Sequence, residues 1–219
     1  MKPFNEILYN RRSIRKFKPR LVSDDLIDKI INAAITAPSP SNCQPVRFIQ
    51  ISSPEMREKL KKSMRNGKIK LIEKLDIIKE KDIKNREEKI NYKRLRNNIN
   101  AYYRYSSFML DAPLLFVVCT EKIKGFTYKL FNANLIENIE NRSIENLTIG
   151  LSIMTLILKA EEFNLGTCIL TAPLNFILDI YDILGIEDLK VSCFISAGYP
   201  DEKPINPGRK NISSILMKI

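Results

Sequence analysis

The stretch NRRSIRKF, residues 10–17, places three arginines and one serine beside two apolar residues near the start of the chain. Side chains of an extended segment alternate between two sides. One side would carry Arg11, Ser13 and Arg15, and the other Arg12, Ile14 and Lys16. Guanidinium groups stay charged and donate bidentate hydrogen bonds, so two of them around a hydroxyl can bind a phosphate or planar anion. A solvated basic turn uses the same residues, and composition alone leaves both interpretations open.

The overall composition predicts one folded domain over residues 1–219. Hydrophobic residues make up 44% of the chain, which has seven glycines, eleven prolines and no low-complexity tract, enough for one large core. No stretch approaches the roughly 18 apolar residues of a membrane span, and the first residues lack the apolar core of a signal peptide. We therefore expect a cytoplasmic protein that does not contact membranes.

Cysteine and histidine usage limits the possible chemistry. The four cysteines, Cys43, Cys119, Cys168 and Cys193, form no CxxC pair, and the chain has no histidine to complete a zinc site. We predict free, mostly buried thiols and no metal site. Ser-His-Asp and Cys-His catalysis are excluded because both need an imidazole. An enzyme of this composition needs another proton carrier or a cofactor that carries the reaction.

The net charge of +11 is concentrated between residues 57 and 96, which hold 16 Lys/Arg and 7 Asp/Glu. A nucleic-acid-binding face would interleave aromatic residues for stacking, but only Tyr92 lies in this part of the chain. Acidic residues are interspersed with the basic ones, which is typical of a solvated helix with ion pairs three and four residues apart. This pattern favours such a helix and no nucleic-acid partner.

Hydrophobic periodicity predicts helices and strands without a regular βαβ repeat, and hence an α+β fold with helices covering a mixed sheet. The predicted helices are a short one at residues 4–8, one from Ser23 to before Pro38, one opened by Pro54, a charged one over 67–100, a stretch over 101–110, a long one that Asn141 or Ser143 would cap, and one from Pro173 to Leu184. Strands are predicted over 47–52, 114–120 and 191–200, and Gly166 is predicted to end the long helix in a helix-to-strand turn.

Two segments have more apolar surface than they can bury alone. The long helix is apolar on nearly every side between Leu147 and Leu158, which predicts either a central helix or a subunit interface. The tail, PGRKNISSILMKI, ends in an apolar segment too short to fold by itself. We expect this tail to pack on another part of the assembly.

Four motifs in order resemble the nitroreductase-like flavoproteins. RRSIRKF resembles the RRSxRxF start of that family, and APSPSNCQP resembles its APSxxNxQPW segment. KAEEFNLGTCIL is similar to its A-x-x-x-G-L-G-T-C turn, and SAGYPDEKP with PGRKN resembles its G-Y-P and basic turn before a C-terminal arm. The match runs from residue 7 to about 212 and leaves 66–107 unmatched in detail.

The resemblance implies a fold in which helices surround a central mixed, mainly antiparallel sheet, and an intertwined homodimer with FMN at the subunit interface. The arm, residues 211–219, would pack on the partner subunit, whereas the placement of 66–107 is not implied. The cofactor-binding residues carried over from the motifs are Arg11, Arg12, Ser13, Arg15, Pro38, Ser39, Pro40, Asn42, Gln44, Thr171, Ala172 and Arg209.

The resemblance also implies roles for these residues. Arg11, Arg12, Ser13 and Arg209 would hold the FMN phosphate, and Arg15 would approach the N1 and C2 carbonyl side of the flavin ring. For Arg12, which an extended chain turns away from Arg11, surface exposure and phosphate contact both remain open.

The other two groups of cofactor-binding residues would lie along the flavin ring. The segment 38–44 would reach the flavin of the partner subunit. Thr171 and Ala172 occupy the position where the family offers a backbone amide to flavin N5.

The implied activity is that of an FMN-dependent NAD(P)H oxidoreductase. Hydride would pass from the nicotinamide to flavin N5 and on to a nitro, quinone or similar acceptor in ping-pong order, without a catalytic side chain. No ribose-reading motif distinguishes NADH from NADPH.

Two alternatives stay open at this point. One is a flavin-cleaving enzyme of the dimethylbenzimidazole-forming type, a branch that carries aspartate where this chain has Ser13. The other is a non-catalytic flavin-binding redox sensor that docks its basic helix on an acidic partner. The chain also departs from the family pattern at Val46, where tryptophan is usual, and has only Tyr103 or Tyr105 near the position of the family's asparagine beside the flavin pyrimidine.

Overall fold

The computed structural model describes residues 2–84, 90–121, 126, 129–130, 133–135 and 141–218, without the side chains of 141–144. The helices named below are α1 Phe4–Asn10, α2 Asp24–Ile35, α3 Pro54–Lys84, α4 Tyr92–Ser107, α5 Asn141–Glu162 and α6 Ile180–Leu184. The strands are β1 Val46–Gln50, β2 Leu114–Glu121, β3 Gly166–Leu170 and β4 Leu189–Gly198. Short 3-10 turns lie at Pro40–Asn42, Phe108–Asp111, Ala172–Asn175 and Ile212–Ser214.

The four strands form one sheet in the order β1-β2-β4-β3, and every neighbouring pair is antiparallel. Outside these strands, Ser13 makes a parallel bridge to Thr167 at the outer edge of β3. The predicted α+β class with a mainly antiparallel sheet is therefore confirmed. β3 is a full strand of the sheet where the sequence indicated only a turn into extended chain.

Hydrophobic side chains cover both faces of this sheet because successive residues of a strand point to opposite sides. Leu115 and Val117 of β2 pack with residues of α3 and α4 on one face. Phe116 and Val118 pack with α2 and α5 on the other face. The sheet is thus a central layer, and its outer strand β3 remains at an edge where another segment can add.

The predicted boundaries of the charged helix over 67–100 are wrong. α3 continues from Pro54 as one helix, and α4 begins after Asn91, whose Oδ1 accepts the backbone N–H of Arg94 at 2.9 Å. Residues 85–89 lie outside the described part of the chain. An N-cap asparagine is the local signal that separates the two helices.

The chain folds back between α3 and α4 because both helices contribute to the same core. Leu75, Tyr92 and Ile99 are all buried there, whereas one continuous rod would leave them in water. The side chains of Arg96 and Asp76 form an ion pair across the two helices. The predicted helix over 101–110 is the end of α4 followed by a 3-10 turn.

The turn after α5 differs from its prediction. α5 ends at Glu162, and Asn164 takes the left-handed conformation with φ of 60°. Gly166, which was expected to end the helix, is the first residue of β3. Asparagine tolerates the left-handed region better than most residues, so Asn164 can reverse the chain after α5. The turn does not need a glycine at position 166.

The predicted helix from Pro173 to Leu184 is also wrong. A 3-10 turn covers Ala172–Asn175, and α6 starts only at Ile180. Phe176 and Ile177, which lie between these two elements, are each 2% exposed, so this part of the chain buries its apolar side chains in a non-helical conformation. Gly185, at φ of 65°, terminates α6 in the left-handed conformation that favours glycine.

α5 is buried along one side and open on the other. Leu156 and Ala160 are fully buried against the sheet, whereas Leu147 is 64% exposed and Met154 39% exposed. The side chains of Asn141 and Ser143, the predicted caps, lie outside the described residues. Within the described ranges, no helix is both long enough and apolar enough to cross a membrane.

Candidate functional site

The arginine segment lies along the outer edge of β3. The backbone N–H of Ile14 donates to the carbonyl of Thr167 at 2.9 Å, next to the Ser13 bridge. The Ile14 side chain is 5% exposed, and a Cβ added to Gly166 would lie 2.5 Å from its Cγ1. Gly166 is therefore required for the close approach of this segment to the sheet.

The second half of the segment pairs with the turn after β4. Phe17 bridges Pro200 in antiparallel fashion, and the N–H of Lys18 donates to the carbonyl of Tyr199 at 2.9 Å. A Cβ on Gly198 would lie 3.1 Å from the Phe17 ring. The RRSIRKF motif thus lies between the GTC and AGYP motifs, with Ile14 packed against Gly166 and Phe17 against Gly198.

Glu202 joins this segment and was not identified from the sequence. One carboxylate oxygen, Oε1, accepts the backbone N–H groups of both Arg15 and Lys16, the latter at 3.1 Å. The neighbouring N–H of Asp201 donates to the carbonyl of Lys16 at 2.9 Å. An acidic residue shortly after a G-Y-P turn is the only sequence signal for this contact.

Within the described part of the chain, the arginines of the segment have no counter-ion. Among the described residues, no ion pair involves Arg11, Arg12 or Arg15. The Nε of Arg12 is buried without a hydrogen-bond partner. Arg11, Arg12 and Ser13 are half-buried, and Arg15 is exposed. Three guanidinium groups with open donors, one of them orphaned in the interior, fit an anionic ligand.

A buried thiol lies within electrostatic reach of these charges. Burial raises the pKa of Cys168, while Arg15 and Arg11 oppose that rise and Glu202 adds to it. The thiol therefore stays protonated at neutral pH and is not a nucleophile. Cys119 and Cys193 are also buried, with pKa values raised by desolvation to about 11 and about 12, and Cys43 is exposed.

The prediction of free, mostly buried cysteines is thus confirmed, because all four cysteines are free and three of them are buried. Within the described ranges, no group of three or more Cys, Asp or Glu residues could hold a metal ion.

Thr171 and Ala172 lie at the far end of β3. Thr171 is four residues beyond Thr167, a separation of about 13 Å at about 3.3 Å per residue. Thr171 is exposed, and its carbonyl accepts the N–H of Leu174 at 3.1 Å as the first turn of 3-10 helix begins. A ligand whose anionic end contacts Ser13 would have to be extended to reach Thr171.

The loop that contains the predicted residues 38–44 has an unusual backbone. Ser41, Asn42 and Gln44 have φ values of 50°, 54° and 44°. The N–H of Gln44 donates to Ser39 Oγ at 2.9 Å, and Gln44 Nε2 donates to Asn42 Oδ1 at 3.1 Å. Left-handed conformations of non-glycine residues are costly and cluster at functional sites, so this loop is held in a fixed, outward-facing shape.

Not all predicted site residues meet within one chain. Among the described residues, no hydrogen bond or ion pair joins the loop at 38–44 to the arginine segment. Arg209 is exposed, and its Nη1 donates only to the carbonyl of Gly208 at 2.9 Å. The structure therefore brings Arg11, Ser13, Arg15 and β3 together and leaves the loop and the basic turn apart from them.

Of the residues noted as departures from the family pattern, Tyr103 and Val46 pack against the hydrophobic core and Tyr105 is exposed. Tyr103 packs edge-on against Phe176 with ring centroids 5.8 Å apart, and the ammonium of Lys68 lies 4.8 Å from its ring centroid. Tyr105 is 67% exposed. Val46 is half-buried at the start of β1, beside a cleft of about 500 Å³ between α2, β1 and α5.

The fold and this edge define an α+β protein with a helix-covered antiparallel sheet, beside which lie arginines that form no ion pair with any described residue. The chain belongs to the nitroreductase family, whose sequence model matches residues 8–199.

Two relatives show how the match is distributed. An Archaeoglobus fulgidus protein named for NADH dehydrogenase and NAD(P)H nitroreductase activity is 41% identical over 29% of the chain, a match that spans 37% of that protein. Iodotyrosine deiodinase 1 of Rattus norvegicus is 28% identical over 99% of the chain and 69% of that protein.

Solved structures share the fold at lower identity. A BluB-like flavoprotein from Clostridium difficile 630 has a TM-score of 0.83 and 24% identity, with 100% of both chains covered. The NADPH:FMN oxidoreductase of Vibrio harveyi, in complex with NAD+, has a TM-score of 0.66 and 19% identity over 98% of this chain and 76% of its own. At these identities the structures establish the fold alone.

Proposed function

We propose that the protein is an FMN-dependent NAD(P)H oxidoreductase that reduces a nitro, quinone or similar acceptor in ping-pong order in the cytoplasm. The observation that carries this proposal is the set of unpaired guanidinium groups at the edge of β3. Membership of a family that includes NAD(P)H nitroreductases, and a fold shared with an NADPH:FMN oxidoreductase, support the same activity.

The residues at this edge fit FMN. A phosphate is the anion that two arginines and a hydroxyl bind well, and Arg11 with Ser13 would supply these groups. The orphaned Nε of Arg12 is a further donor for that phosphate. Arg15, exposed and free of a carboxylate partner on its guanidinium, would lie beside the pyrimidine side of the ring.

FMN, when bound, supplies hydride acceptance from NAD(P)H and electron delivery to the second substrate. The protein then has to bind, orient and stabilise charge. With FMN bound, the positive charge of Arg15 would stabilise negative charge on the ring, because preorganised charge costs no reorganisation during the reaction. No side chain near the segment has to act as a general base, which agrees with the absence of histidine.

We further propose that the active form is a homodimer with one site at each side of the interface. The loop at 38–44 faces outward and is not joined to the arginine segment of its own chain, as expected if it serves the partner's site. A groove of about 320 Å³ runs from Gly150 and Met154 of α5 to Ile169 and Thr171. The exposed apolar face of α5 continues this groove and would be covered by a second copy.

The tail would complete this assembly. Its apolar side chains are exposed in a single chain: Ile212 is 78%, Ile215 68% and Met217 85% exposed. An arm from each subunit packed on the other would bury them. Arg209, which precedes the arm, would then be placed against a phosphate.

The test is cofactor uptake followed by turnover. Purified protein should bind FMN, be reduced by NADH or NADPH, and reoxidise with a nitroarene or quinone; a stopped-flow comparison of the two nicotinamides would establish the preference. Protein that takes up no FMN would refute the proposal. Reduction without reoxidation by any acceptor would instead support the flavin-binding redox sensor.

A second candidate is reductive removal of halogen from a halogenated phenol. It is favoured by the match to iodotyrosine deiodinase 1 over 99% of the chain. Release of iodide from an iodophenol by the reduced protein, at a rate above that of nitroarene reduction, would establish this activity.

The likeness to a BluB-like flavoprotein keeps flavin cleavage as a third activity to test, although Ser13 stands where the flavin-cleaving branch has aspartate. Recovery of intact FMN after air oxidation of the reduced protein would exclude it.

A further inference from the structure

We propose that Glu202 is a positioning residue that holds the backbone of Arg15 and thereby fixes its guanidinium in the site. This inference rests on the proposed function for its effect on FMN, but its structural part can be tested without cofactor.

The hydrogen-bond pattern of the segment shows why such a residue is needed. The N–H of Ile14 is bonded to Thr167 of β3, and the N–H of Lys18 is bonded to Tyr199 beyond β4. Between these two anchors the segment crosses from one partner strand to the other. The amides of Arg15 and Lys16 lie in that crossing, and Glu202 Oε1 accepts both of them.

A carboxylate that accepts two consecutive amides forms stronger hydrogen bonds than a carbonyl would. Both donors are backbone N–H groups of the crossing, so the bonds restrict the backbone from which the Arg15 side chain projects. Loss of Glu202 would leave the amides unpaired and allow Arg15 to move.

The charge of Glu202 has a separate effect from its hydrogen bonds. The hydrogen bond from the backbone N–H of Arg15 to Oε1 places the carboxylate of Glu202 beside this residue. No ion pair joins the side chains of Arg15 and Glu202. The carboxylate thus offsets part of the cationic charge without occupying the guanidinium that a ligand would use.

Two conservative variants separate these effects. Glu202→Gln keeps an oxygen acceptor at the same reach and removes the charge. Glu202→Asp keeps the charge and withdraws the oxygen by one methylene. Hydrogen exchange of the cofactor-free, full-length protein, resolved to single amides by NMR, measures the positions of interest directly.

The expected result is that Glu202→Asp speeds exchange at Arg15 and Lys16 by about tenfold or more, a factor equivalent to about 1.4 kcal/mol. Exchange at Ile14 and Lys18 should change by less than about threefold, and Glu202→Gln, which keeps an acceptor oxygen without the charge, should speed exchange at Arg15 and Lys16 less than Glu202→Asp does. Unchanged exchange at Arg15 and Lys16, or equal acceleration throughout the chain, would overturn the proposal.

The effect on the cofactor is read from the reduction potential of bound FMN. Glu202→Asp carries the same charge as the wild type, so it should lower the potential relative to the wild type only by releasing Arg15, and that difference should vanish when both proteins also carry Arg15→Ala. A difference that persists without Arg15 would show that Glu202 acts by another route and would overturn the positioning role. Wild-type protein that binds no FMN would refute the proposed function, and the amide exchange would still decide the role of Glu202.

Discussion

Ile14 and Gly166 pack so closely that the glycine has no room for a side chain. A Cβ at position 166 would lie 2.5 Å from Cγ1 and 2.7 Å from Cβ of Ile14. The second distance involves the branch point of the isoleucine, which cannot move without its backbone. This contact fixes the distance between the arginine segment and β3.

Gly166→Ala should therefore displace the arginine segment. We expect a loss of about 1–3 kcal/mol in the free energy of unfolding, typical of overpacking in a core, and weaker FMN binding, both measured by equilibrium titration. Ile14→Ala removes the Cγ1 and Cγ2 atoms that the new Cβ would meet and keeps only Cβ, so the double variant should lose less than the sum of the two single losses. Strict additivity would show that the two residues do not press on each other.

Gly67→Ala should have a larger effect on stability. A Cβ at this position of α3 would lie 1.8 Å from the carbonyl oxygen of Phe176, so backbone would have to move. We expect a loss of about 3 kcal/mol or more in the free energy of unfolding, measured by urea titration. Asn66→Ala, at the exposed neighbouring position, is the matched control and should stay within about 0.5 kcal/mol of wild type.

The buried thiols predict a decline of stability at alkaline pH. Folding raises the pKa of Cys119 from 9.0 to about 11 and that of Cys193 to about 12. The unfolded chain therefore releases these protons first, and the free energy of unfolding falls as pH rises above 9, by roughly 1 kcal/mol per thiol between pH 9 and 10.

Urea unfolding at several pH values measures this decline. Cys193→Ala should flatten the slope above pH 9, whereas Cys43→Ser, which alters an exposed thiol, should leave it unchanged. Equal slopes in wild type and Cys193→Ala would contradict the assignment of this pH dependence to the buried thiol.

The proposed dimer makes a prediction for the exposed side of α5. Leu147→Asp places a charge on an apolar face where the side chain is 64% exposed in one chain, so it should dissociate the dimer while leaving the subunit folded. Sedimentation velocity measures the change. Leu178→Asp, at a side chain that is 60% exposed outside α5, should remain dimeric. A wild-type protein that sediments as a monomer would contradict the dimer itself.

Local patterns were sufficient to predict much of the fold. The alternation in residues 11–17 placed Ile14 on the side opposite Arg11, Ser13 and Arg15, and Ile14 is buried in the structure. The apolar runs that form β2 and β4 were recognised as buried strands.

Long-range contacts explain what the sequence did not predict. Gly166 looks like a helix terminator, and only the approach of Ile14, more than 150 positions away in the chain, shows why it is glycine. Glu202 looks like one of many surface acids until its oxygen is seen on the amides of Arg15 and Lys16. The break between α3 and α4 depends on the packing of Tyr92 into the core that α3 also joins. Helix propensity does not predict this packing.

Arg15 is expected to tune the reactivity of the bound cofactor. Arg15→Ala should weaken FMN binding and lower its reduction potential, because a cation beside the pyrimidine side of the ring stabilises the reduced anion. Lys16→Ala removes the same charge on the opposite side of the segment and is the matched control. Spectroelectrochemical titration of the three proteins gives the comparison, and equal potentials in Arg15→Ala and wild type would refute the assigned role.

The most direct test of the account is a comparison of FMN with riboflavin, which lacks the phosphate. Fluorescence titration of the wild-type protein should show FMN bound at least about tenfold more tightly, equivalent to about 1.4 kcal/mol. Arg11→Ala should remove most of that preference by weakening FMN alone. Equal binding of the two flavins by the wild type, or an unchanged preference in Arg11→Ala, would contradict the claim that the arginine segment holds the phosphate.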